Sequence, residues 1–175
     1  MVGKSLGVAK AANLDAAGFL ENSTRFNSVM NSKGLFAYNK STNVSFSVTI
    51  RNKEGTGSGY AEQDFNDLSK MDVLALSKIA AGKATGSAGA QAIEPGKYTV
   101  ILEPLAASDI LSNMFRGFDA RSADEGRSFM SKKGGGTRVG EQLFSENVNI
   151  YSDPMNPELP GATWSGDGLA LKRTD

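Results

Sequence analysis

The chain has no cysteine and no histidine among its 175 residues. Without cysteine there is no disulfide, thiol nucleophile or thiolate metal site. Without histidine there is no imidazole to act as ligand, general base or proton shuttle, so a Ser-His-Asp triad is impossible within the chain. A zinc ion here would have carboxylates as its only ionised ligands, which is rare. Excess charge of either sign is also missing, since 19 Lys and Arg balance 19 Asp and Glu. A nucleic-acid partner, which needs clustered cations, is therefore not expected. No run approaches the ~20 apolar residues of a spanning helix. The opening MVGKSLGVAKAANLDAAGF has Lys4 and Lys10 but no unbroken apolar core, so it does not read as a signal peptide. A cytoplasmic protein is the expectation.

What the chain does have is glycine, 20 residues of it, with 39% hydrophobic content. That suits a loop-rich and strand-rich chain of one domain or two small ones. Residues 1 to 30 are Ala-rich and weakly amphipathic, ending in a strand-like stretch at Phe26 to Met30. Asn31 to Gly34 predicts a turn with Gly34 at positive φ. Leu35 to Asn39 predicts a strand, and Lys40 to Asn43 a second turn. Val44, Phe46, Val48 and Ile50 then alternate with Ser45, Ser47, Thr49 and Arg51, the period of a half-buried strand. A turn at Asn52 to Gly55 leads to a strand from Gly57 to Gln63. Together these form an antiparallel meander. Asp64 or Asn66 starts a helix carrying Leu68, Met71, Leu74 and Ile79 and running to about Gly82. Gly82 to Gly89 is either a linker or that helix's frayed end.

In EPGKYTVILEP, residues 94 to 104, Pro95-Gly96 predicts a turn. Tyr98 to Leu102 predicts a strand buried on both faces. Pro104 suits the first position of a helix with Leu105, Ile110, Leu111, Met114 and Phe115 on one stripe. Val148 to Tyr151 predicts a further short strand, and Asp153-Pro154 and Pro157 to Gly161 predict turns. There is no internal repeat.

Four groups of residues invite a functional interpretation, and each has a plainer one. Lys132-Lys133-Gly134-Gly135-Gly136 offers backbone amides to an anion, yet it lacks the phosphate-loop pattern and suits a surface loop equally. Asp119, Asp124, Glu125 and Arg127 offer an acid-base pair or a cation site, or else a solvated charged face. Tyr98, Phe115, Phe118 and Phe129 are stacking platforms or core. Trp164 is a lid over a small satellite core or a surface contact.

The order of the segments resembles the TldD/PmbA family, linked by name to modulation of DNA gyrase and regarded as metalloproteases. EPGKYTVILEPLAASDIL (94 to 111) is similar to the family's Pro-Gly, Tyr-containing strand, Pro and Ala-rich helix. GEQLFSENVNIYSDP (140 to 154) and GATWSGDGLALKR (161 to 173) are similar to the pieces that follow. NSKGLFAYNKSTNVSFSVTIRNKEGTGSGY (31 to 60) is similar to the family's hairpin and following strands. The resemblance covers most of the chain. Family members are usually more than twice as long, so an internal fragment is expected.

The resemblance implies an α+β fold: an antiparallel β meander with packing helices, followed by the start of a second mainly-β domain. Residues 1–92 would be the latter part of the N-terminal or middle α+β domain. Residues 93–175 would begin a truncated C-terminal domain. Catalytic members carry HExxxH on the helix after the Tyr-containing strand, with a later cysteine as a further ligand. The matching stretch here is Leu111 to Gly117, so Ser112, Asn113 and Arg116 or Gly117 stand where ligands would be. None replaces imidazole. The resemblance therefore implies a non-catalytic, PmbA/TldE-like subunit without a metal of its own. Zinc is expected in a TldD-like, HExxxH-bearing partner, and unfolded peptides as substrates. The strand residues Val44, Phe46, Val48 and Ile50 are the candidate peptide-binding site, by strand addition. The alternative is a stand-alone peptide- or protein-binding scaffold, a homodimer that has lost proteolysis. A third option is an enzyme with a site around Asp119 to Arg127.

Overall fold

The computed structural model describes residues 1–158 and 160–174. Two compact units emerge: Met1–Ile93 together with Ile150–Asp175, and Glu94–Asn149. The first unit is α+β. It has helix α1 (Val2–Ala11), strands β1 (Asp15–Met30), β2 (Phe36–Arg51) and β3 (Ser58–Phe65), a 3-10 turn (Leu68–Lys70) and helix α2 (Val73–Gly86). The strands form one antiparallel sheet in the order β1-β2-β3.

β1 and β2 pair without interruption from Asp15↔Arg51 to Met30↔Phe36. Their turn is built by Asn31, whose Oδ1 accepts from the backbone N–H groups of Lys33 and Leu35, and by Gly34 at φ 89°. The next turn repeats the device. Asn52 Oδ1 accepts from Gly57 N–H, and Gly55 sits at φ 72°. The turn expected at Lys40 to Asn43 does not form. Those residues have turn character singly, but each is paired across to Phe26 through Ser23. A continuous ladder outweighs local preference at four positions.

β3 covers only half of this ribbon, pairing with Val44 to Arg51. The other half, residues 23–30 against 36–43, projects as a two-stranded arm. Even-numbered side chains of β1 and β2 share a face. On the three-stranded half that face packs beneath α1 and α2. Val44, Phe46, Val48 and Ile50 are buried there with Ala61, Met71, Val73, Leu76, Ala80, Ala84 and Ala9. The Ser77 hydroxyl donates to the Val73 carbonyl at 2.6 Å and accepts from Ser5 Oγ at 2.7 Å, a buried polar contact between the two helices.

α2 begins two turns' worth of chain later than expected because the cap is Asp72, not Asp64 or Asn66. Its carboxylate accepts from Leu74 and Ala75 N–H at 3.0 Å each. The helix absorbs part of the expected linker, ending at Gly86. It lies directly on β3 because no side chain intervenes. A Cβ on Gly59 would strike the Ala80 carbonyl and Lys83 Cβ, and one on Gly57 the Ala84 carbonyl.

In the second unit, α3 (Pro104–Phe115) starts with Pro104 in its first turn, as expected. A 3-10 turn (Arg116–Phe118) and α4 (Ala120–Asp124) follow. Tyr98 to Leu102 is not a buried strand. It pairs with nothing among the described residues, and Ile101 is 100% exposed. A strand exists only through its neighbour's hydrogen bonds. Val148 to Tyr151 likewise forms no strand. The first unit's last segment is held instead by single antiparallel bridges, Ser152↔Thr174 and Trp164↔Ala170.

Gly59→Ala should therefore destabilise the first unit by at least about 1–3 kcal/mol, the usual overpacking cost. Gly82→Ala, with open space around it, should be neutral or mildly stabilising. Paired thermal melts check the contrast.

Candidate functional site

On α3, Ser112, Asn113 and Arg116 are solvent-exposed. Asn113 Nδ2 donates to the Asp109 carbonyl at 3.0 Å, a bond that belongs to the helix itself. A hydroxyl, a carboxamide and a guanidinium are not a zinc donor set. Among the described residues no three Asp or Glu side chains gather where an ion would sit. The chain's residues do not fit the metal that the resemblance associates with this helix.

Val44, Phe46, Val48 and Ile50 are core side chains. The backbone of the same residues is paired to β1 on one side and β3 on the other. A peptide can neither touch these side chains nor add to this stretch of strand. Alternation gave the buried face correctly, but one strand's sequence does not say that it is the middle one.

In the acidic segment, Asp119, Glu125 and Arg127 are structural ties. Asp119 caps α4, and its carboxyl is held below the usual range by the side-chain and backbone hydrogen bonds of Ser122. Glu125 is held down by Arg121, with Nε at 2.8 Å, and then by Arg127. A carboxylate made more acidic and already neutralised is a poor proton carrier near neutral pH. In the glycine loop, Lys132 is bound to Glu141 at 2.9 Å, which lowers the Glu141 pKa. Ser131↔Thr137 closes the loop, with Gly134, Gly135 and Gly136 all at positive φ.

The four aromatics divide. Phe118 is the hub of a small cluster with Phe115, Phe129 and Phe144, at centroid distances of 5.4 to 6.5 Å. Tyr98 is outside it, donating its hydroxyl to the Glu94 carbonyl. A pocket of about 360 Å³ beside α1 is lined by Val2, Leu6, Leu20 and Phe46. Ser5, the only hydroxyl in its lining, already bonds Ser77.

Not anticipated from the sequence is the arm. Phe26, Met30, Phe36 and Tyr38 lie on its one face and are 62, 69, 66 and 56% exposed. Phe26 and Tyr38 rings are 6.5 Å apart, and Lys40 Nζ is 5.5 Å above the Phe26 ring. The even-residue alternation that marks the core strand continues through these four. It was hidden by the supposed turn at 40 to 43.

Residues 6–88 match the central domain of the PmbA/TldA metallopeptidases, and residues 95–175 match their C-terminal domain. The chain belongs to the PmbA/TldD family. Among curated proteins none matches it. A crystal structure titled "putative modulator of DNA gyrase", from Bacteroides thetaiotaomicron VPI-5482, shares the fold at TM-score 0.78 and 20% identity. That likeness covers 99% of this chain and 41% of the other, so this chain spans less than half the length of its structural neighbour. Among the described residues no helix is long and apolar enough to cross a membrane.

The ties around Glu125 make a pH prediction. Its folded pKa lies below the unfolded one, so the associated stability is present above the unfolded pKa. It is lost as pH falls through the folded pKa. Acidification should loosen residues 119–127, and Glu125→Gln should flatten that dependence. Amide hydrogen exchange in this segment, measured at neutral and acid pH, checks it.

Proposed function

We propose that this chain belongs to a non-catalytic, PmbA/TldE-like subunit of a cytoplasmic metallopeptidase acting on unfolded peptides. The observation that carries this is the α3 donor set in a chain of metallopeptidase-family domains. Where catalytic relatives are expected to present two imidazoles and a glutamate, this helix presents Ser112, Asn113 and Arg116. Zinc and the activated water belong to a HExxxH-bearing partner. This chain contributes scaffold and peptide capture.

Capture by strand addition needs open main-chain groups, because it uses backbone hydrogen bonds and little side-chain selection. Beyond the end of β3, the outer edge of β2 offers them. Asn52 N–H bonds the Gly57 carbonyl, which fixes even-numbered β2 residues as those facing β3. Phe36, Tyr38 and Lys40 face the same way, and among the described residues no strand lies beside them. A peptide pairing there lies in line with β3.

Two measurements test this. The native complex, isolated gently, should contain zinc and a second chain with HExxxH. A native assembly without zinc or a second chain overturns the subunit role and favours a binding scaffold without proteolysis. Separately, Lys40→Pro removes one outward N–H and should weaken binding of a labelled unfolded peptide about tenfold, the effect of losing roughly one hydrogen bond. Asn39→Pro, on the inward side, should instead lower stability. Unchanged affinity in Lys40→Pro removes this edge as the capture site.

A further inference from the structure

A peptide paired along the β2 edge would abut the end of β3, and the chain builds a small acidic cavity at that point. β3 ends at Phe65, opposite Val44. Just past it, two bonds fix Asn66. Thr42 Oγ1 donates to the Asn66 carbonyl at 2.7 Å, and Asn66 Nδ2 donates to the Pro157 carbonyl at 3.3 Å. The cavity beside them is about 90 Å³, and Thr42, Asn43, Asp64, Asn66, Glu158 and Pro160 line it. No cation is in the lining, and Asp64 and Glu158 form no ion pair among the described residues. Asn66 Oδ1 is shielded from solvent, yet it accepts no hydrogen bond among the described residues. A shielded acceptor left unmet is costly. An occupant that donates hydrogen bonds and carries positive charge would meet it and balance both carboxylates.

We propose that this cavity takes the N-terminal ammonium of the captured peptide, an inference that rests on strand addition at the β2 edge. An ammonium has three donors and no acceptor. The cavity answers with two carboxylates and the unmet amide oxygen of Asn66. Its volume is about three times the ~30 Å³ share of one water molecule. That is room for an ammonium and the first main-chain atoms. A calcium ion would want about six to eight oxygen ligands, and among the described residues no three acidic side chains gather.

The same charge fixes the peptide's direction. β3 runs antiparallel to β2, so a peptide in line with β3 and running the same way has its N-terminus at Asn66. A peptide running the other way brings its terminal carboxylate against Asp64 and Glu158, and like charges repel. Antiparallel capture is thus selected at one end of the peptide, and its side chains stay free to vary. The arm's own cations do not take the ammonium's place. Lys40 is over the Phe26 ring, on the face of β2 opposite to that of Asn43. Arg25 pairs opposite Ser41 on β1, two strand spacings or roughly 10 Å from the peptide's line.

The test uses the 175-residue chain and an unfolded, lysine-free peptide labelled at its C-terminus, with the N-terminus either free or acetylated. The free form should bind about tenfold more tightly, the effect of a charge-assisted hydrogen bond. In the double variant Asp64→Asn with Glu158→Gln, both exposed positions, that preference should disappear. If the double variant does not fold by circular dichroism, Glu158→Gln alone, which is outside the sheet, decides. Equal binding of the two forms by the unmodified chain overturns the inference and leaves strand capture standing. A preference that survives the substitutions also overturns it. So does an acetylated peptide whose affinity is restored by lysine at its first position, which would give the cavity to a side chain. If neither form binds, strand capture fails and this inference fails with it.

Discussion

The contact between α2 and β3 governs the first unit, because glycine on the strand and alanine on the helix let two backbones meet directly. Gly57 and Gly59 leave no room for a Cβ beneath the Ala84 and Ala80 carbonyls. That close approach sets the depth at which α2 rides on the sheet. It thereby fixes how far Val73, Leu76, Ala80 and Ala84 reach toward Val44, Phe46, Val48 and Ile50. A larger residue at either glycine would lift the helix and open the layer that contains most of the unit's buried apolar surface.

The same contact disposes of one sheet edge. With α2 this close, Ser87 and Lys83 reach the outward backbone groups of Ser58 and Tyr60 and satisfy them. The helix therefore buries one face of the sheet and blunts its β3 side. Among the described residues nothing equivalent acts on the outward backbone groups of the arm. A two-stranded ribbon alone is marginal in water, yet β1 and β2 keep perfect register for 16 residues each. Part of the support comes from the far face, where Gly168 is seated against Leu35 and Val29. The near face, with Phe26 and Tyr38, keeps its apolar surface uncovered.

Local chemistry was legible in the sequence wherever the cause is local. Asn31 with Gly34, and Asn52 with Gly55, announce their turns because side-chain acceptors and positive φ are properties of a few adjacent residues. The core strand is visible because Val44 to Ile50 alternate without a break, and Pro104 marks a helix start because its ring fixes one angle. What depends on partners was not visible. The pairing of Lys40 to Asn43 with Arg25 and its neighbours overrode a turn, and Tyr98 to Leu102 is strand-like in composition but has no neighbour to pair with. The candidate peptide site failed for the same reason. Whether Val44 to Ile50 is an edge or a centre depends on two other segments.

The functional residues show the same division from the chemical side. Absence of histidine and cysteine is readable at once and constrains α3 wherever that helix sits, since no packing turns Asn113 or Arg116 into a soft ligand. The acidic residues could not be judged that way. Glu125 between Arg121 and Arg127 and Asp119 at a helix start have their carboxylates committed to holding the chain's shape. Each such tie lowers a pKa and so moves the group away from proton transfer near neutrality. With imidazole and thiolate missing, Asp119 and Glu125 are the carboxylates of the segment 119–127 that the structure ties to the chain's own shape. What the first unit leaves unspent, among the described residues, is outward backbone hydrogen bonding and exposed aromatic surface on the arm.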